Sequence, residues 1–123
     1  MTGRSPIAQD ESTGWDSAGQ LRCEPSRFGY RIVLVGEVDL TMSQEWEPIF
    51  GVLSDGEPSD VTVDLSAATF IDSSVLGAFV RLHRTVSARG AELTMTGAEG
   101  SVLRTISLAG IDRLIPIVPV LET

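Results

Sequence analysis

Between Val61 and Gly77 an alternating apolar run gives way to a helical repeat with almost no spacer. This join restricts the chain to folds in which a strand hands directly to a helix. Val61, Val63 and Leu65 alternate with Thr62 and Asp64 as a strand does, and Ser66–Thr69 reads as a short loop. Phe70 and Ile71 are expected to bury themselves and so fix the start of the helix. Asp72 is a good N-cap, and Val75, Leu76, Phe79, Val80, Leu82 and Val86 recur behind it at helical spacing. Ser73 and Ser74 therefore occupy the first helical turn. Backbone N–H groups there lack intrahelical partners and the helix dipole is positive, which favours an added phosphate; the carboxylate of Asp72 opposes it. Gly77, one turn beyond Ser73 on the same face, leaves the serine hydroxyl approachable by another protein. On their own, Asp72, Ser73 and Ser74 read as a helix cap.

The chain has 123 residues, 42% of them hydrophobic, which suits one domain with a real core. A formal charge of −8 argues against nucleic acid or an anionic membrane as the partner, and a basic protein surface fits better. All nine basic residues are Arg, so Schiff-base chemistry and a phosphate-loop lysine are absent. Cys23 is the single cysteine, and no Cys/His cluster suggests a metal. No signal-like or membrane-length apolar run occurs. A soluble cytoplasmic protein without metal or cofactor is expected.

Residues 1–19 are rich in Ser, Thr, Gly, Asp and Glu, with Ile7 and Trp15 their large apolar residues, and are expected to form a flexible tail before a domain over 20–123. Gln20–Glu24 reads as an edge strand, turned at 26–29 into a second strand in which Tyr30, Ile32 and Leu34 alternate with Arg31, Val33 and Val35. The segment Gly36-Glu37-Val38-Asp39 comes next. Thr41 with Gln44 forms a capping box for a helix over about 42–53, with Trp46 in the core and a kink or 3₁₀ junction at Pro48. After the second helix, which ends near Ser87, a strand over 92–96 leads to a third helix. That helix is expected to be capped by Ser101, with Val102, Leu103, Ile106 and Ala109 inward and Gly110 as its stop. Leu114–Val118 reads as a final strand, put at a sheet edge by Pro116. Strands alternating with helices behind an opening hairpin predict a single α/β domain, a mixed β-sheet with helices packed on it. Right-handed crossovers put the loops at 36–40 and 66–73 on one rim.

The run Asp64-Leu-Ser…Phe70-Ile-Asp-Ser-Ser-x-Leu-Gly77 resembles the signature of anti-sigma factor antagonists, the bacterial members of the STAS domain family. Gly36–Asp39 and the stretch 102–114 resemble further parts of that family, so the likeness spans about residues 20–120. It implies a STAS fold and a partner switch. The unphosphorylated protein binds an anti-sigma factor that is also a serine kinase, releasing a sigma factor. Phosphorylation of Ser73 breaks the complex, and a phosphoserine phosphatase restores it. The partner-binding residues so implied are Glu37, Asp39, Asp72, Ser73, Ser74, Val75 and Gly77. Many members carry Gly where this chain has Val75, and the bulkier side chain is expected to narrow access to Ser73 or alter the partner accepted. Other STAS domains serve in signalling or transport assemblies or bind nucleotides, and those are the alternatives. A serine-nucleophile enzyme fits least: Gly-x-Ser-x-Gly is absent, and the single histidine, His83, has no nucleophile spaced to pair with it.

Overall fold

The structure, a computed structural model, describes residues 19–120. The expected tail, with Ile7 and Trp15, lies outside the described residues apart from Gly19. Strands β1 (Gln20–Ser26) and β2 (Gly29–Val38) form the opening hairpin around Arg27 and Phe28. Helix α1 (Trp46–Asp55) leads to β3 (Asp60–Ile71), α2 (Ser73–Ser87) to β4 (Leu93–Thr96), and α3 (Gly100–Leu108) with α4 (Ile111–Leu114) to β5 (Ile117–Val118). The sheet order is β1-β2-β3-β4-β5, antiparallel at the hairpin and parallel from β2 onward, so the expected mixed sheet is what forms.

Strand alternation sends Ile32, Leu34, Val61, Val63, Leu65, Leu93 and Met95 to one face, where they join Trp46, Phe50, Phe79, Leu82 and Val86 of the helices in one core. Each large side chain buried there stabilises the fold by about 1.5–3 kcal/mol. Trp46 anchors the contact between α1 and α2. Its ring stacks on Phe50 at 6.1 Å and meets Phe79 edge-on at 6.3 Å.

Several local expectations are corrected. β3 does not break at Ser66 but continues to Ile71, because β2 stays paired with it through two register shifts, Val33/Val35 and Gly36/Glu37. Each shift gives β3 one extra residue, and two extra residues restore the original phase. Ile71 therefore returns to the core, whereas Phe70 turns outward and is 47% exposed. Ahead of α1, Leu40–Glu45 is a 3₁₀ helix capped by Asp39, not by the expected Thr41 box; Thr41 donates both its N–H and its hydroxyl to Asp39. Pro48 falls in the first turn of α1, where its missing N–H costs nothing, so the 3₁₀ segment precedes the proline. Glu99, not Ser101, stands at the N-cap of α3, and Leu103 and Ala109 are exposed. Gly110, at φ 77°, divides α3 from α4. The last strand is only two residues long, at the edge that Pro116 indicated.

Candidate functional site

β2 and β3 are parallel neighbours, so their C-terminal ends reach the same rim, and Val38 pairs with Ile71 just before the chain leaves the sheet. The two exits are then tied by Asp72. Its Oδ1 accepts from the N–H groups of Ser74 at 3.0 Å and Val75 at 3.3 Å, capping α2, while Oδ2 accepts from the N–H of Leu40 at 3.0 Å. Partial desolvation works to raise the Asp72 carboxyl pKa. The bonds from Ser74, Leu40 and Val75 outweigh it and hold the carboxyl below its ordinary value, so Asp72 is charged at neutral pH.

The two serines have different surroundings. Ser74 donates its hydroxyl to Asp72 Oδ1 at 2.5 Å, which commits it to the cap. Ser73 is exposed in the first turn of α2, next to a cap in which Asp72 already accepts from the N–H groups of Ser74 and Val75. Glu37 is exposed at the end of β2, and Asp39 is half-buried with its Oδ1 occupied by Thr41. Val75 is 0% exposed. The expectation that it narrows access to Ser73 is thereby corrected, since helical spacing points it inward with Phe79 and Leu82 and its bulk fills the core. Gly77 faces outward, and a Cβ built there meets no atom within 4 Å. It lines a shallow cleft of about 220 Å³ between α1 and α2 with Ser43, Phe50, Ser74 and Arg81. Arg81 bridges the two helices, pairing with Glu47 at 2.9 Å and lying 3.8 Å over the Phe50 ring.

Two rim residues escaped the sequence reading. Leu40 is 67% exposed directly after Asp39, and Phe70 is the outward neighbour of Ile71, paired with Glu37 across the strands. Alternation carried on from Val61 through Ile71 already puts Phe70 outside; breaking the strand at Ser66 concealed it. The rim thus combines exposed apolar side chains with Glu37, Asp39 and Asp72, a surface suited to a partner with an apolar contact flanked by positive charge.

Nucleophilic chemistry is poorly served here. His83 lies ten residues along α2 from Ser73, about 15 Å at the helical rise, too far to take its proton. Cys23 is half-buried on β1, and desolvation, reinforced by the charge of Glu24, pushes its thiol pKa up, away from the reactive thiolate. Among the described residues no three His, Cys, Asp or Glu side chains converge as metal ligands, and no helix is long and apolar enough to cross a membrane.

No curated protein matches the chain in sequence. Solved structures do match in shape. An anti-sigma factor antagonist from Mycobacterium paratuberculosis aligns with a TM-score of 0.72 at 23% identity, over 85% of this chain and 89% of that one. The phosphorylated form of the Bacillus cell fate determinant SpoIIAA aligns at 0.67 and 16% identity, over 84% and 93%. The murine anion transporter Slc26a9 also contains this fold: it aligns at 0.60 and 12% identity, over 84% of this chain but 21% of the transporter. At these identities the likeness concerns the fold. The family model of the STAS domain matches residues 29–123, the whole unit from β2 onward, and the protein accordingly belongs to the STAS domain family.

Proposed function

We propose that the protein is an anti-sigma factor antagonist without catalytic turnover. In the cytoplasm it binds an anti-sigma factor that doubles as a serine kinase, frees a sigma factor, and is switched off by phosphorylation of Ser73 until a phosphatase removes the phosphate. The observation that carries this reading is the division of labour between the serines: Ser74 is held by Asp72 at 2.5 Å, and Ser73, next to it, is exposed. A kinase can reach Ser73 without dismantling the cap. A phosphate there adds about −1.5 to −2 charges to a rim already bearing Glu37, Asp39 and an ionised Asp72. A partner surface complementary to the unmodified rim then meets a repelling, strongly hydrated group. A loss of ~3 kcal/mol lowers affinity more than 100-fold. The contact surface in this reading is Glu37, Asp39, Leu40, Phe70, Ser73 and Gly77, with Asp72 and Ser74 holding it in shape.

Incubation with candidate anti-sigma kinases and ATP, followed by mass spectrometry, tests the reading. Phosphate is expected on Ser73 and absent from Ser73→Ala; transfer to Ser74 instead, or none from any such kinase, sinks it. The second reading is a module of a larger signalling or transport assembly, supported by the transporter domain of like fold. Under that reading the rim binds its partner with no change on phosphorylation.

A further inference from the structure

Far from Ser73, at the opposite end of β3, a cavity of about 530 Å³ opens on the sheet face that the helices leave uncovered. That volume lies within the range of small-molecule sites. Its floor is set by strand register: Arg31, Thr62 and Thr94 stand side by side on β2, β3 and β4, all on the face opposite the core residues Ile32, Val63 and Leu93. Its walls carry opposite charge. On the hairpin side stand Arg27 and Arg31; on the β3–β4 side stand Asp60 and Glu92, joined where the Glu92 N–H donates to Asp60 Oδ1 at 2.9 Å. Arg31 uses one nitrogen for Asp64, at 3.3 Å, leaving further donors of its guanidinium fork. Among the described residues neither Arg27 nor Glu92 has an ion-pair partner. Phe28, 76% exposed and with the Arg27 guanidinium 5.3 Å from its ring centroid, closes the hairpin side with an aromatic surface.

This polarity selects a ligand class. A simple anion meets Asp60 and Glu92, a simple cation meets the two arginines, and a purely apolar molecule would desolvate hydroxyls and charges without repaying them. We propose that the cavity binds a small zwitterion with an aromatic body, its carboxylate on Arg27 and Arg31, its ammonium at Glu92 and Asp60, over the Thr62 and Thr94 hydroxyls. This site is separate from the serine rim and stands whether or not Ser73 is phosphorylated.

The test is an NMR titration of the full chain with L-phenylalanine and with the dipeptide phenylalanyl-phenylalanine, which carry the same two charges at different separations. N-acetylphenylalanine and phenylalanine amide each lack one charge. Saturable shifts of the Arg31, Thr62 and Thr94 amides are expected with at least one zwitterion, and each control should bind at least tenfold more weakly. Arg27→Gln should weaken the zwitterion and N-acetylphenylalanine but not the amide, and Glu92→Gln the zwitterion and the amide but not N-acetylphenylalanine. No saturable shift with either zwitterion up to about 10 mM, a Kd tenfold weaker than millimolar binding, overturns the proposal. So do controls that bind as tightly as the zwitterions, since that pattern is adsorption on Phe28.

Discussion

The amide of Leu40 donates to Oδ2 of Asp72 at 3.0 Å, joining segments 32 residues apart, while the other oxygen of the same carboxylate caps α2. One side chain thus sets the position of the serine relative to the neighbouring loop. Replacing it by alanine removes a cap worth about 1 kcal/mol and leaves the Leu40 N–H without its partner at a cost of similar size. Asp72→Ala is expected to lose about 2 kcal/mol in chemical denaturation. Asn keeps one accepting oxygen for the cap, but its NH₂ group cannot accept from the Leu40 N–H, so Asp72→Asn should lose about half of that, and a loss as large as that of alanine would mean that the cap itself depends on the charge.

The same bonds make stability depend on pH. Because the folded-state pKa of Asp72 lies below its ordinary 3.8, the unfolded chain takes up this proton first as the solution is acidified. Its contribution is complete above that ordinary value and is lost as pH falls through the folded one. Stability curves measured from pH 6 downward should therefore be shallower in acid for Asp72→Asn than for wild type. Superimposable slopes would mean that the carboxylate gains nothing on folding.

Much of this arrangement is legible in the sequence because it is written in local chemistry. The Asp72 cap, the inward stripe of α2 and the opening hairpin each depend on residues a few positions apart. The parts that were not legible depend on pairing between distant segments. Asp39 takes the cap from Thr41, and nothing in the pair Thr41–Gln44 reveals that Asp39 stands one residue before the turn with its oxygen already aimed at the Thr41 amide. Phe70 reads as core because Ser66–Thr69 looks like a loop. Alternation from Val61 puts it outside once the strand is carried to Ile71, and it is the pairing with β2, through two register shifts, that carries the strand so far. The charged walls of the cavity at the far end of β3 come from the hairpin turn, β2, β3 and the residue before β4, so no window of sequence contains them.

Gly77 offers a separation of stability from binding. It sits inside α2 with open space where a Cβ would go, so Gly77→Ala should stabilise the fold by about 0.5–1 kcal/mol through helix propensity. The added methyl also enters the cleft beside Ser74, and binding of the anti-sigma partner should weaken even as the thermal midpoint rises. Unchanged affinity would remove that cleft from the interface.

We expect the domain to fold without its first 18 residues, whose composition gives them little to bury. Truncation should stop short of Gly19, because its backbone lies so close to Glu37 that a Cβ would stand 1.9 Å from the Glu37 carbonyl oxygen. A chain beginning at Gly19 should melt within a few degrees of the full chain. A larger drop would mean that Trp15 or Ile7 contributes to the core.

The rim itself predicts two kinds of loss that salt distinguishes. Ser73→Glu puts a carboxylate beside Asp72 and should weaken binding to the anti-sigma partner at least tenfold, ~1.4 kcal/mol, whereas Ser73→Ala removes only a hydroxyl and should bind as wild type while resisting the switch. Leu40→Ser and Phe70→Ser should cost a similar factor by deleting apolar contacts, with little change in thermal midpoint because both side chains are already exposed. Raising ionic strength from about 0.1 M to 1 M shortens the screening length from roughly 10 Å to 3 Å. The Ser73→Glu penalty should shrink over that range, and the Leu40→Ser and Phe70→Ser penalties should not. Calorimetry at both salt concentrations reads the difference directly: a Ser73→Glu penalty that persists in full at high salt would trace the switch to steric fit, and apolar variants that bind as wild type would take Leu40 and Phe70 out of the contact.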